Sequence, residues 1–403
     1  MPDSVQPVSI PNPLLNLHQQ AEAEFQAYAQ VQIVSTFGEP QAEYAAIRKS
    51  AALLDEPQRG ILEISGTDRF AFLNNLLTNK TWDKEKKTGL AAGSGVYAFF
   101  LNTKGRIVAD LHAIETGDRM LLDMDARMVE PLRAAFDKFI FREQVKMTSR
   151  VGSLQTLSLH GPGAPKILEE LGASVEQLAQ LGSISAGGGI NPALHEETLR
   201  RAGFISPPAF SGLVTIWRDD VCSVPGFHLV VESEAAERVW KELLERFGQS
   251  PELGKRRLRP AGWAAYNACR IEGGRPIFGI DFDDSVLPSE TGQLERAVSL
   301  TKGCYLGQEI VARMVARGQV ARQIVGIRMA DEALPIAGAM IHDDQGNQIG
   351  GITSSTVSPI LSNAAICLGF VKKQIITPGS VVTIPAEGSM RRGVVTELPF
   401  LQG

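Results

Sequence analysis

The chain has 403 residues, 44% hydrophobic and 21% charged, with a net charge of −5; this is the profile of an ordinary globular protein of two or three domains. The acidic balance argues against nucleic acid as a general partner, and no run approaches the roughly 18 apolar residues of a membrane helix. Cys222, Cys269, Cys304 and Cys367 stand far apart with no Cys-x-x-Cys pair, so no metal site or disulfide framework is expected; with no leader-like N-terminus, the reducing cytoplasm is the expected setting.

Residues 1–13 are rich in Pro and Ser and read as loose, within an N-terminal extension of 1–30. The spacing of Leu14, Leu17, Ala21 and Phe25 predicts a helix over 14–31, and a second is expected over 42–54. Leu62 and Ile64 alternate with polar neighbours in a strand at 60–65, and Thr67 then caps a helix carrying Phe70, Leu73 and Leu77. Strands are expected at 95–101 and 106–114, joined by the turn Asn102-Thr103-Lys104-Gly105. On the returning strand Asp110 and His112 share one face, about 7 Å apart. Asp110 is either a functional acid or a solvent-facing strand residue.

A strand at 119–124, a helix at 127–141, strands at 145–148 and 154–159 and a helix at 164–171 follow. The segment 181–211 is rich in Gly, Ser, Ala and Pro; its Gly187-Gly188-Gly189 lacks the strand and Gly-Lys-Ser/Thr context of a phosphate loop, so it reads as a plain loop. Strands at 213–218 and 227–232 precede an amphipathic helix at 235–247, and Lys255-Arg256-Arg257 reads as solvated surface. A helix over 260–271 ends in Cys269-Arg270-Ile271-Glu272-Gly273-Gly274. Arg270 suits a ligand carboxylate, because guanidinium pairs with it bidentately, or else a buried structural acid such as Glu272 or Glu290. Past residue 320 the texture changes to short strand-like runs at 324–329, 340–342, 348–353, 365–371 and 381–384, separated by Gly and Pro, which predicts a small antiparallel barrel over 320–403.

Residues 302–317 read Lys-Gly-Cys-Tyr-Leu-Gly-Gln-Glu-Ile-Val-Ala-Arg-Met-Val-Ala-Arg. A helix is expected from Leu306 to a stop at Gly318, with Glu309, Arg313 and Arg317 on one face. Cys304 then sits beside Lys302 at or before the helix N-terminus. It is either a buried cysteine in a glycine turn or an exposed thiol with a lowered pKa.

Lys-Gly-Cys-Tyr-x-Gly-Gln-Glu resembles the signature of the YgfZ family of folate-binding proteins. This is a branch of the glycine-cleavage T-protein superfamily that includes the mitochondrial iron–sulfur assembly factor. The stretches 43–79, 99–110, 270–290 and 302–328 carry further superfamily text. The resemblance implies an α+β fold: two interleaved α+β subdomains around a central folate cleft within 31–319, plus a C-terminal antiparallel β-barrel. It implies tetrahydrofolate, or a one-carbon or polyglutamylated derivative, as cofactor. Cys304 and Lys302 would be the functional thiol pair, on the cleft rim, and Asp110 the retained acid. Arg270, Glu272, Tyr305 and Gln308 would join Asp110 in holding folate. The implied role is an accessory protein supporting iron–sulfur cluster assembly or repair, with client enzymes or assembly proteins as partners. The alternative is a folate-dependent aminomethyltransferase or demethylase. Two departures weigh against it: T-protein has an acidic pair where this chain has Ala109 and Asp110, and its pterin-holding acid is missing from the run 223–228. Glycine-cleavage activity is therefore not expected.

Overall fold

The computed structural model describes residues 10–185, 212–249, 256–317 and 320–401. The glycine triplet, most of the Gly/Pro-rich segment and the Gly318 helix stop lie outside the described residues.

Two sheets, a five-stranded antiparallel one and a six-stranded one with a single parallel pair, are woven from one passage of chain. The strand Ala52–Asp55 lies in a six-stranded sheet. Three residues later the chain has crossed into a five-stranded sheet built from Arg59–Ser65, Gly95–Leu101, Ile107–Glu115, Arg119–Asp125 and Lys146–Ser149. It then returns to the first sheet with Leu154–His160, Leu213–Arg218 and Gly226–Glu232. This is the interleaving expected of the fold. Each sheet carries helices on its outer face. Arg69–Leu76 and Val129–Asp137 cover the five-stranded sheet through Leu73, Leu76, Leu132 and Phe136. Ala164–Glu170 and Ser233–Phe247 cover the other through Ile167, Val239, Trp240 and Phe247. Such continuous apolar layers are what bring the sheets together, at roughly 25 cal/mol per Å² of apolar surface removed from water.

The N-terminal segment differs from expectation. The helix is only Leu15–Gln20, and a hairpin of Glu24–Tyr28 with Val31–Thr36 follows. Glu22 and Ala29 take left-handed φ of 56° and 51°, which a helix cannot contain. The segment is docked as well: buried His18 places Nε2 3.1 Å from Asp55 Oδ2 and lies between Phe37 and Trp240. The second expected helix is shortened in the same way. It runs Pro40–Lys49, and the wholly apolar Ala51, Ala52, Leu53 and Leu54 become a buried strand, the alternative that a short apolar run always leaves open.

The C-terminal region is a closed antiparallel barrel of six strands in the order Arg322–Met329, Ala364–Lys372, Gln348–Ser358, Met340–His342, Val381–Ala386, Ser389–Thr396. The five expected strands are all present and Ser389–Thr396 completes the closure. Ile324, Ile366 and Leu368 of the barrel pack with Phe99, Leu101 and Ile107 of the five-stranded sheet. No helix among the described residues is long and apolar enough to cross a membrane.

Candidate active site between the two sheets

The strand Ile107–Glu115 sets the site by its alternation. Ile107, Ala109, Leu111 and Ala113 are fully buried, and Ala109, Leu111 and Ala113 join the core beneath the helices. Asp110 and His112 are on the opposite face and line a cavity between the sheets. Ala109 is thus on the wrong side of the strand to contribute to the cavity. An acid there would be buried among Leu62, Phe72 and Phe100, so its absence says nothing about chemistry at Asp110.

Tyr97 is the register partner of His112 on the neighbouring strand, and its hydroxyl donates to Asp110 Oδ2 at 2.8 Å. Burial raises the Asp110 pKa, and Asp125 adds to the rise, against the pull of Arg59 and of the Tyr97 bond. Across the cavity Trp217 and His228 are partners on adjacent strands of the six-stranded sheet, stacked at 4.1 Å with 14° between their planes. His228 Nδ1 lies 3.1 Å from Glu56 Oε2. Burial favours neutral His228, but Glu56 outweighs it and the His228 pKa is raised, while that of Glu56 is lowered. Glu56 sits in the three-residue link that crosses between the sheets, so a carboxylate reaches the cavity wall even though the run 223–228 has none.

The N-terminal hairpin closes one side: the Tyr28 hydroxyl donates to Asp125 at 3.3 Å. The helix Trp263–Glu272 contributes Trp263 and Tyr266. The remaining side is a charged cluster. Asp219 accepts from Arg275 at 3.0 Å and from Arg296, and lies 3.3 Å from His112 Nε2. The two guanidinium groups hold the Asp219 pKa well below its ordinary value despite burial, whereas burial pushes His112 down to about 3.

Of the site residues expected from sequence, only Asp110 lines this cavity. Arg270 is fully buried and is not among the residues lining the cavity. It is paired with Asp281 rather than Glu272 or Glu290, and donates to Ser354 Oγ at 2.6 Å and Asn267 Oδ1 at 2.8 Å. Its place in the cavity is taken by Arg275, which it positions. Arg275 N–H donates to the Arg270 carbonyl at 2.9 Å, and Arg270 Nη1 donates to the Arg275 carbonyl at 3.2 Å. Glu272 ends the helix, so no extended segment puts it in phase with Arg270. It accepts from Arg48, Tyr44 and Ser358 in the core.

Lys302 is buried, and its ammonium donates to the carbonyl oxygens of Asn74, Leu77 and Asn79. It therefore closes the C-terminal end of the helix Arg69–Leu76, where carbonyls lack partners. Burial and Lys84 lower its pKa to about 7, against three acceptors that favour the charged form. Tyr305 is buried with the Lys302 ammonium 4.8 Å from its ring centre, and Gln308 opens the helix Gln308–Arg317. Gly307 has φ +79°, and a Cβ there would come within 2.7 Å of the Asn102 carbonyl, so the motif docks on the turn that leads into the Asp110 strand. Cys304 is exposed, unlike the other three cysteines, but it is not among the residues lining the cavity.

Tyr97, Trp217 and His228 could have been found by extending strand parity to the partner strands. Arg275 and Arg296 carry no such signal: one follows the helix Trp263–Glu272, the other sits in the short helix Leu294–Ala297, and the acid that joins them, Asp219, comes from a distant stretch of chain.

A family model described as the GCVT N-terminal domain matches residues 14–188, and one described as the glycine cleavage T-protein C-terminal barrel domain matches residues 322–402. An aminomethyltransferase of Moorella thermoacetica is 29% identical over 89% of this chain and 88% of its own. One of Halothermothrix orenii is 26% identical over 96% and 99%. The crystal structure of glycine cleavage system aminomethyltransferase T from Bartonella henselae superposes with a TM-score of 0.81 at 22% identity, covering 98% of both chains, which establishes the shared fold. These relatives are named aminomethyltransferases rather than iron–sulfur assembly factors, and they do not carry the finer YgfZ assignment. The two matched regions together take in more than half of the sequence, and the chain belongs to the glycine-cleavage T-protein superfamily.

Proposed function

We propose that this protein binds tetrahydrofolate in the central cavity and passes it a one-carbon unit from an amine donor, in the manner of an aminomethyltransferase. The observation that carries this reading is Asp110, a buried carboxyl group with a raised pKa and one tyrosine partner, in a cavity walled by aromatic rings. The fit to a folate rests on those walls and on unused polar atoms. Trp217, Trp263 and Tyr266 offer flat apolar surfaces to a ring system, and His112 Nδ1 and His228 Nε2 are buried without protein partners.

Tetrahydrofolate supplies a nucleophilic nitrogen that accepts the carbon. The protein's own part is proton handling and water exclusion. Asp110, its pKa raised by burial, can take a proton from an ammonium or return one to a leaving amine. Tyr97 keeps that carboxyl oriented. The docked hairpin carrying Tyr28 restricts solvent on one side. Ala109 does not count against this chemistry, since it faces the core.

The test is direct. Tetrahydrofolate should quench the intrinsic tryptophan fluorescence saturably, and an aminomethyl-lipoyl carrier should then release ammonia in a tetrahydrofolate-dependent manner. A protein that binds tetrahydrofolate but turns over no amine donor has lost the reaction, and one that does not bind it refutes the reading.

A second reading is favoured by the exposure of Cys304 within the YgfZ-like octapeptide. In it the protein serves iron–sulfur client enzymes through that thiol. Deleting the gene and restoring it with a Cys304→Ala copy, while assaying cluster-containing enzymes, separates this from the transferase.

A further inference from the structure

The ion pairs that line the cavity are one to one, except for one cluster. Arg59 is matched by Asp123, His228 by Glu56, and Asp125 by Arg127 outside the wall. Arg275 and Arg296 share the single carboxylate of Asp219, and His112, held neutral by burial, adds no charge. Two guanidinium groups thus share one carboxylate, while Asp110, the remaining acid of the wall, is bonded to Tyr97.

The same two arginines line a second, open groove of about 1020 Å³ between the Gly273–Gly274 turn, Gln293 and the barrel residues Thr396–Pro399. They therefore stand at the boundary between cavity and groove. Both are partly exposed, with side chains 21% and 25% accessible, so their guanidinium groups can be reached. Each uses one Nη on Asp219 and keeps further N–H groups for another acceptor. The Arg296 guanidinium lies 4.2 Å from the centre of the Tyr97 ring, whose hydroxyl holds Asp110. The two arginines and Asp110 thus line the same cavity. His112 Nδ1, without a partner in either tautomer, stands on the same wall.

We propose that Arg275 and Arg296 form a carboxylate-binding subsite that anchors the acidic end of a ligand whose reactive nitrogen lies at Asp110. The proposal rests on the folate-dependent reading of the cavity and assigns it a substrate class: ligands bearing a carboxylate. Two ligands can supply one: the glutamyl end of tetrahydrofolate, and a free N-methyl amino acid, whose methyl group would pass intact to the folate nitrogen while the proton of that nitrogen goes to the departing amino acid. Planar carboxylate geometry suits a pair of guanidinium forks better than a sulfhydryl or a neutral arm would.

The experiment compares probes with and without the carboxylate on the full chain and on Arg275→Gln and Arg296→Gln. The paired probes are tetrahydrofolate against 6-methyltetrahydropterin, and N-methylglycine against dimethylamine, with dissociation constants from calorimetry. If the folate tail occupies the subsite, both variants lose at least about tenfold in affinity for tetrahydrofolate and keep 6-methyltetrahydropterin within about twofold. If the donor does, the loss falls on N-methylglycine and spares dimethylamine. Arg296→Lys, which keeps the charge without the fork, should recover part of the loss. Retained binding of the uncarboxylated probe shows that the variants are folded. Equal losses on both members of each pair, or no loss on either carboxylated probe, overturn the subsite. A wild-type protein that binds neither pterin but loses N-methylglycine affinity in the variants refutes the folate reading and leaves the subsite standing. A wild-type protein that binds no carboxylated probe overturns the subsite as well.

Discussion

Trp217 and His228 lie ring on ring across two adjacent strands, and Glu56 holds the far side of the imidazole. The Glu56 carboxylate raises the His228 pKa, so the pair contributes its full stability below the ordinary histidine value near 6.5 and loses it as pH rises through the raised folded value. An imidazolium quenches an indole stacked on it. Tryptophan emission should therefore rise in a single step above pH 6.5, and the step should vanish in His228→Gln. Glu56→Gln should cost stability near pH 6, and this cost should shrink as pH rises toward 9. Chemical denaturation at several pH values measures it, and a cost that grows with pH would contradict the assignment.

Asp110→Asn keeps the shape and the Tyr97 contact but cannot exchange a proton. Turnover should fall at least about 100-fold, while tetrahydrofolate affinity stays within about threefold. Because burial raises the Asp110 pKa, its ionised form opposes folding, and that cost grows as pH rises past the ordinary carboxyl value. The variant should therefore be more stable than wild type at pH 8, by roughly 1 kcal/mol, with the gap closing toward pH 4. A variant destabilised at pH 8 would place Asp110 in a structural network instead.

Arg270→Met strands Asp281 in the core, where removing one partner of a buried pair costs about 3–5 kcal/mol. The loss should appear in urea melts of the unliganded protein. The surviving folded fraction should bind 6-methyltetrahydropterin normally, because Arg270 does not line the cavity. A stable variant with selectively weakened pterin binding would restore Arg270 as a ligand residue.

Lys302→Met removes three ammonium–carbonyl bonds at the end of the helix Arg69–Leu76 and should cost about 2–3 kcal/mol. The Lys302 ammonium is committed to those carbonyls, so Cys304 should be alkylated at nearly the wild-type rate in the variant. In the wild type Cys304 should react at least about tenfold faster than the others. Burial pushes Cys367 up to about 12 and raises Cys269 well above the ordinary thiol value, and Cys222 is fully buried. Timed alkylation with peptide mapping reads all four sites.

Strand parity carried most of what could be read in advance. Asp110 and His112 on one face, the barrel strands and the interleaved sheets all follow from patterns of period two and from motif text. The same parity argument, applied one residue back, would have removed Ala109 from the discussion. The N-terminal hairpin was not legible, because Leu14, Leu17, Ala21 and Phe25 fit a helical period that docking against Asp55, Trp240 and Asp125 overrides. The arginine of the Arg-x-Glu-x-Gly run was legible as important but not in its role. Its bonds to Asp281 and Ser354 depend on segments 11 and 84 residues away, and it acts by holding Arg275 at both backbone ends.

Ser354 and Thr353 of the barrel donate to Asp281, and Ser358 donates to Glu272. These hydroxyls belong to the last quarter of the chain, whereas Glu272 ends the helix that walls the cavity and Asp281 pairs with that helix's Arg270. On the ribosome, that helix emerges with its arginine and these acids still hydrated, and only the arrival of residues 353–358 lets the water leave. The binding cavity is therefore finished late in synthesis, and a nascent chain halted before the barrel would present two assembled sheets around a site whose wall has not yet set.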